Sequence, residues 1–161
     1  MDLPKRKHPR LKNYDYSTNG AYFITICTKN KEPLLGSAKE AIHATEETEL
    51  LGAEQMILSS AGKICKTYLE NIPEIYEGVF LDCYVMMPNH IHMVLCLEAA
   101  AQSGGQGSGR PTVQTIMHAF KRLSARQAGM ELWQTSFYDR VIRNEEELNR
   151  IRKYILGNPV K

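Results

Sequence analysis

The sequence predicts an α+β fold of the ferredoxin-like, split βαβ type with one further helix at the C-terminal end. Three observations lead there. Segments with apolar residues at period 2 and segments with helical spacing follow one another in the order β-α-β-β-α-β-α, and the first six elements match the ferredoxin-like arrangement. Two of the strands, Val79 to Met87 and His90 to Leu97, are separated only by Pro88-Asn89, which is hairpin spacing. The chain has 161 residues, the size of one core, and carries neither an internal repeat nor a composition shift that would mark a second domain, so residues 1–161 are read as a single domain.

Residues 1–13 hold Lys5, Arg6, Lys7, Arg10 and Lys12 around Pro4 and Pro9 and read as an extended basic arm. Ser17-Thr18-Asn19-Gly20 is turn chemistry, and Ala21 to Thr28 is aromatic and β-branched, the composition of a strand. Residues 36–55 are acidic and weakly patterned, a loop or a hairpin. Ser59 or Ser60 caps a helix that runs to about Asn71, with Ile64, Tyr68 and Leu69 on one side and Pro73 as its stop. After the hairpin of the two central strands, residues 99–111 are small and Gly/Ser-rich, a flexible connection. Those glycines lack the GK[ST] ending of a phosphate-cradling loop. Val113 to Gln127 is a basic helix with Ile116, Phe120 and Leu123 spaced for burial, and Ser136 to Ile142 is a strand. Asn144 caps the last helix, whose first turn carries Glu145, Glu146 and Glu147 where carboxylates suit the helix dipole. Gly157-Asn158-Pro159 ends it.

Composition narrows the function classes. The longest apolar runs, Tyr84 to Met87 and Met93 to Leu97, are far short of the roughly 18 residues of a membrane span, and no signal-peptide core follows the basic N-terminus. Cys27, Cys65, Cys83 and Cys96 form no CxxC pair, which argues against a zinc ribbon or a redox motif and suits a reducing cytoplasm. The net charge of +2 is unevenly spread: residues 1–31 hold seven Lys/Arg against two Asp/Glu, residues 32–119 four against eleven, and residues 120–161 nine against five. Basic ends around an acidic middle allow one basic face, and a basic face attracts polyanions such as nucleic acid; solvated surface charge is the plainer alternative.

The strand His90 to Leu97 holds the most informative pattern. Alternation puts Ile91, Met93 and Leu95 on one face and His90, His92, Val94 and Cys96 on the other. The two imidazoles stand roughly 6.5–7 Å apart along the strand, close enough to converge on one cation or one phosphate. Strands otherwise favour β-branched and aromatic residues, so two histidines here invite a functional reading beside the plain one of solvated side chains on an open sheet face. Imidazoles suit zinc, nickel or iron better than magnesium, and a third ligand has to come from elsewhere, since no Asp or Glu stands at ligand spacing.

The segment from Tyr84 to Leu95, with its Pro88-Asn89-His90-Ile91-His92 core, resembles the His-hydrophobic-His strand of the HUH nucleases. Within them it is most similar to the REP-associated tyrosine transposases of bacteria, which are single-tyrosine insertion-sequence transposases. Tyr14-Asp15-Tyr16 with Gly20 to Thr25, Ala119-Phe120-Lys121, and the run Trp133-Gln134, Ser136 to Asp139, Ile142-Arg143, Tyr154-Ile155 and Asn158-Pro159 resemble further segments of that family in order and spacing. The likeness spans about residues 8–160. Family members often continue into an aromatic-rich tail, which this sequence lacks.

The resemblance implies a DNA-nicking and rejoining enzyme of the bacterial cytoplasm and nucleoid. A tyrosine hydroxyl attacks a phosphodiester of single-stranded DNA beside a palindromic hairpin and forms a covalent 5′-phosphotyrosine. Carried over residue by residue, Tyr154 matches the nucleophile, and His90 and His92 match the pair that holds a divalent cation, Mg²⁺ or Mn²⁺. Asn158 matches the polar residue that completes the cation site. Lys5, Arg6, Lys7 and Arg10 of the arm, with Lys121, Arg122, Arg126, Arg140 and Arg143, are candidates for phosphate contacts, and each is equally readable as surface charge. Some related transposases exchange the tyrosine helix between two subunits, which REP-associated members need not do, so a homodimer is open to this chain. From composition alone Tyr154 is one of the chain's eight tyrosines, set on the flank of the stripe Leu148, Ile151 and Ile155, and Tyr138 is its rival. Trp133 is read as core or as a base-stacking platform. The alternative function is a domesticated relative that grips hairpin DNA without cutting it.

Overall fold

The computed structural model describes residues 20–38, 56–98 and 111–157. The basic arm with Lys5, Arg6, Lys7 and Arg10, most of the Gly/Ser-rich connection, and Asn158 lie outside the described residues. The elements are β1 (Gly20–Cys27), β2 (Gly36–Ala38), β3 (Met56–Leu58), α1 (Ser60–Glu70), α2 (Ile72–Ile75), β4 (Val79–Met87), β5 (His90–Leu97), α3 (Val113–Ala128), β6 (Tyr138–Ile142) and α4 (Glu145–Gly157). Four strands form one antiparallel sheet in the order β4-β5-β1-β6, the α+β arrangement expected of the split βαβ pattern. β2 and β3 pair as a separate two-stranded sheet at the borders of the acidic segment.

Alternation along the central strands divides the molecule into two packed layers. Tyr22, Ile24 and Ile26 of β1 and Ile91, Met93 and Leu95 of β5 are fully buried on one face, in a core shared with Cys65 and Leu69 of α1 and Ile116, Met117 and Phe120 of α3. Each such side chain contributes roughly 1.5–3 kcal/mol by leaving water. The opposite face is covered by α4, where Ile155 is buried with Val94 and Ile142 and against Phe23, Leu148 and Ile151. The histidine face is therefore no open sheet surface: its outer half is a second, smaller core.

The Ser59 cap follows its sequence signal, and the structure adds caps at both ends of α3. The Ser59 hydroxyl accepts from the Gly62 N–H at 3.0 Å, and Thr112 Oγ1 accepts from the Thr115 N–H at 3.1 Å. Gly129 closes α3 in the left-handed conformation, φ +70°. Pro73 does not stop α1, which already ends at Glu70; it sits in the first turn of α2, where a missing N–H costs nothing. β6 begins at Tyr138 rather than Ser136; ahead of it Trp133 bridges to Thr28 and the Gln134 N–H donates to the Cys27 carbonyl oxygen at 3.0 Å. On β4, Leu81 pairs with Leu95 and Cys83 with Val94, so Asp82 is an extra, bulged residue.

Gly62 fixes the approach of α1 to the chain at Leu35. A Cβ on residue 62 would meet the Leu35 carbonyl oxygen at 2.0 Å and its carbon at 3.0 Å. Gly62→Ala gains the helix propensity of alanine, about 1 kcal/mol, and still destabilises the protein by a net roughly 1–3 kcal/mol, since the obstacle is backbone. Urea unfolding midpoints compare the two; an unchanged or raised midpoint would contradict this packing.

Candidate active site

β5 presents its histidines to the α4 side, as its alternation requires. The ring centroids of His90 and His92 lie 4.6 Å apart. In the antiparallel ladder His92 stands opposite Thr25 of β1, and Thr25 Oγ1 lies 2.8 Å from His92 Nδ1. Asn89 Oδ1 accepts from His90 Nδ1 at 2.6 Å. Both rings thus have Nδ1 engaged, and Nε2 is the nitrogen left for chemistry.

Helix α4 supplies the third group. Asn144 Oδ1 accepts from the Glu147 N–H at 2.8 Å, and the Glu147 carboxylate accepts from the Arg143 N–H at 3.1 Å, two bonds that tie the first turn of the helix to the residues before it. Leu148, Ile151 and Ile155 face the sheet. Tyr154, one residue before Ile155, then falls beside the histidines, its ring centroid 5.4 Å from that of His92. Tyr154 keeps 48% of its surface exposed, whereas His92 keeps 8%. Phe23 of β1 closes the group, stacked on His92 at 5.5 Å and edge-on to Tyr154 at 6.3 Å. The structure therefore brings His90, His92 and Tyr154 together within one chain.

Burial governs the electrostatics. It pushes the His92 imidazole down to about 4, helped by the neighbouring charge of His90. His90 is lowered too, by burial first and then by the ammonium of Lys31. Both rings are accordingly neutral near pH 7, the state in which a ring nitrogen can donate a lone pair to a cation. Among the described residues no group of three His, Cys, Asp or Glu side chains is arranged to hold a metal ion. Any further ligand to the histidine pair comes from another residue type or from outside the described residues.

The arginine and lysine candidates do not gather on one face. Lys121, Arg122 and Arg126 belong to α3, which packs on the opposite side of the sheet from α4. Lys121 Nζ donates to the carbonyl oxygens of Gln134 and Thr135, so it also fastens the segment before β6. Arg122 lines an open cleft with Lys29, His118 and Trp133. Trp133 itself donates from Nε1 to Ser124 Oγ at 3.0 Å and packs on Phe120, as the core reading expected. On the α4 side, Arg140 Nε reaches Glu147 Oε1 at 2.6 Å, and Arg143 is exposed at the start of the helix. Sequence reasoning did not single out Thr25 or Phe23 as site residues. Their signal was their place in the strand segment Gly20 to Thr25, where they alternate with the core residues Tyr22 and Ile24.

No protein-family model matches the chain. The fold is that of a transposase: the structure of a REP-associated tyrosine transposase bound to a REP hairpin aligns with a TM-score of 0.59 and 16% identity, over 94% of this chain and 73% of that one. A candidate transposase of Deinococcus radiodurans aligns more loosely, with a TM-score of 0.47 and 17% identity over 94% of this chain and 98% of that one. The chain belongs to the same family as an uncharacterized protein of Haemophilus influenzae, to which it is 33% identical over 172 residues, covering 96% of this chain and 88% of the relative. No helix among the described residues is long and apolar enough to cross a membrane.

The buried imidazole makes stability depend on pH. Unfolded, His92 takes a proton below about 6.5; folded, only below about 4. Its contribution is full above pH 6.5 and is lost progressively as the pH falls towards 4. The Asp82 and Glu147 carboxyls are held below their ordinary 3.8 and 4.5, so their losses set in only at lower pH. Urea midpoints measured between pH 7 and 4.5 should therefore fall for the native chain and fall less for His92→Gln. Equal slopes would mean that His92 is not held neutral.

Proposed function

We propose that the protein is a DNA-nicking and rejoining transposase in which Tyr154 is the nucleophile. The observation that carries this reading is the convergence of Tyr154 with His90 and His92 in one chain, on a fold shared with a REP-associated tyrosine transposase. The Tyr154 phenol gives up its proton to water as its oxygen attacks a phosphorus of single-stranded DNA and forms the Oη–P bond. The P–O3′ bond breaks, the 3′ oxygen leaves as a hydroxyl after taking up a proton, and the 5′ phosphate stays on the tyrosine. Reversal by a second 3′-OH rejoins a strand and restores the phenol. The ester bond conserves the energy of the cut, so no nucleotide triphosphate is required.

The protein's own groups divide the work. The exposed side of Tyr154 admits a DNA strand, while Phe23 and the β-sheet hold its ring against His92. Thr25 and Asn89 fix the two imidazoles through Nδ1. A pair of neutral, oriented imidazoles fits a divalent cation. His90 and His92, with Asn158 as the further residue matched by sequence, would hold Mg²⁺ or Mn²⁺, which supplies Lewis-acid polarisation of a phosphate oxygen. Proximity of Tyr154 to its own chain's histidines supports action in cis. The substrate we assign is a palindromic DNA hairpin with single-stranded flanks, by likeness to the transposase solved with a REP hairpin.

The test is incubation of the protein with end-labelled hairpin DNA and Mg²⁺ or Mn²⁺, followed by a denaturing gel. A covalent adduct is expected, and Tyr154→Phe, which removes one oxygen from a half-exposed ring, should lose the adduct entirely while melting within a few degrees of the native protein. Specific binding with no adduct from the native chain would favour a hairpin-gripping module instead.

Thr25→Val keeps the shape of the residue and removes its hydrogen bond to His92. Losses on disturbing a partner of a ligating histidine run to about 10–100-fold, so adduct formation should slow by that order at saturating DNA. An unchanged rate would detach Thr25 from the chemistry.

A further inference from the structure

A cleft of about 250 Å³ opens beside Tyr154, between β6 and α4. Tyr138 and Arg140 of β6 form one wall, Glu147, Arg150 and Tyr154 of α4 the other, and Phe23 lies at the base. The spacing of both elements produces it. Tyr138 and Arg140 are two apart on a strand and stand opposite Thr25 and Phe23 in the β1–β6 ladder. Glu147, Arg150 and Tyr154 are three and four apart on a helix and share one of its faces. Phe23 stacks on His92 and also touches Tyr154 edge-on, so the cleft and the histidine pair are separated by one aromatic ring.

The chemistry of this lining is selective. Arg140 is engaged by the buried carboxylate of Glu147 at 2.6 Å, which fixes one rim of the cleft. Arg150 is exposed and, although its charge acts on the Glu147 carboxylate of the same cleft, it forms no ion pair within 4 Å among the described residues, which leaves its N–H groups open to an anion. Tyr138 keeps 37% of its surface exposed. An aromatic face beside an available guanidinium is the combination that holds single-stranded nucleic acid: a base stacks on the ring and a phosphate meets the cation. The volume lies just below the roughly 300 Å³ at which pockets for drug-sized ligands begin, enough for one nucleotide and too little for a duplex.

Resting on the proposed nicking activity, we propose that this cleft is a subsite for one unpaired nucleotide next to the scissile phosphate, with its base against Tyr138 and its phosphate against Arg150. Tyr138 thereby becomes a strand-positioning residue rather than a rival nucleophile. Arg150 sets the register of the strand on Tyr154.

The test measures binding, so it does not depend on cutting. The full chain is titrated by fluorescence anisotropy against hairpins with single-stranded flanks, in which one abasic site is moved through the flanks position by position. One position should weaken binding roughly tenfold, the scale of a lost base–aromatic stack. Tyr138→Ala should lose about the same factor on intact DNA and become indifferent to that position, while Tyr138→Phe keeps the native pattern. Arg150→Ala, at an exposed position that spares the fold, should keep the abasic pattern and lower the salt dependence of affinity by about one phosphate contact. The subsite is overturned if no single position carries a penalty, if the penalty survives undiminished in Tyr138→Ala, or if the salt slope of Arg150→Ala is unchanged. An intact abasic pattern without any covalent adduct would instead reject Tyr154 as nucleophile and leave the subsite standing.

Discussion

A slip of one residue between β1 and β5 would turn the side chains of one strand to the other face of the sheet, and with them the whole candidate site. The native register sets Thr25 opposite His92 and Cys27 opposite His90, with Phe23 opposite Val94. It is strongly specified because both faces are buried: Tyr22, Ile24 and Ile26 have no place on the α4 side, and Ile91, Met93 and Leu95 have none there either. The larger core, on the side away from the chemistry, thus determines where the histidines point. The polar contact between Thr25 and His92 follows from apolar packing rather than causing it.

Helix α4 depends on that same face. Its apolar contact is small, centred on Ile155, and two charged contacts flank it. Glu147 meets Arg140 near the first turn, and Arg152 forks onto the carboxylate of Asp82 through Nε at 2.7 Å and Nη2 at 2.5 Å. Exposed ion pairs contribute little each, but a two-pronged guanidinium–carboxylate contact is directional. Together they restrict rotation of the helix about its axis, the motion that would carry Tyr154 away from His92. The guanidinium of Arg152 in turn holds the Asp82 carboxyl below its usual range.

The sequence disclosed those features that are local. Period-2 alternation was enough to put His90 and His92 on one face, the Pro88-Asn89 dipeptide to pair β4 with β5, and Asn144 with Glu147 to place the start of α4. It did not disclose what meets across the fold. Thr25 and His92 are 67 positions apart, and nothing in either segment names the other. The burial of His92 was hidden for the same reason: an alternating strand reads as half-solvated until the helix that covers it is known. Lys121 looked like a phosphate ligand because a basic helix was legible, whereas the carbonyl oxygens of Gln134 and Thr135 that it meets belong to an irregular segment with no pattern to read. Pro73 was read as a terminator because its neighbours give no sign that a second helix begins there.

The bulge at Asp82 has a bearing on how the molecule behaves in a crowd of its own copies. Among the described residues β4 is an outer strand of the sheet, and an outer strand with regularly spaced N–H and C=O groups is a template on which another chain can grow. Here the ladder is interrupted in the middle of the strand, and the interrupting residue is a carboxylate tied down by Arg152. A second chain laid against β4 would find its hydrogen-bonding partners out of step beyond Leu81 and a charge beside the break. The contact that orients the tyrosine helix therefore also protects the sheet from edge-to-edge aggregation.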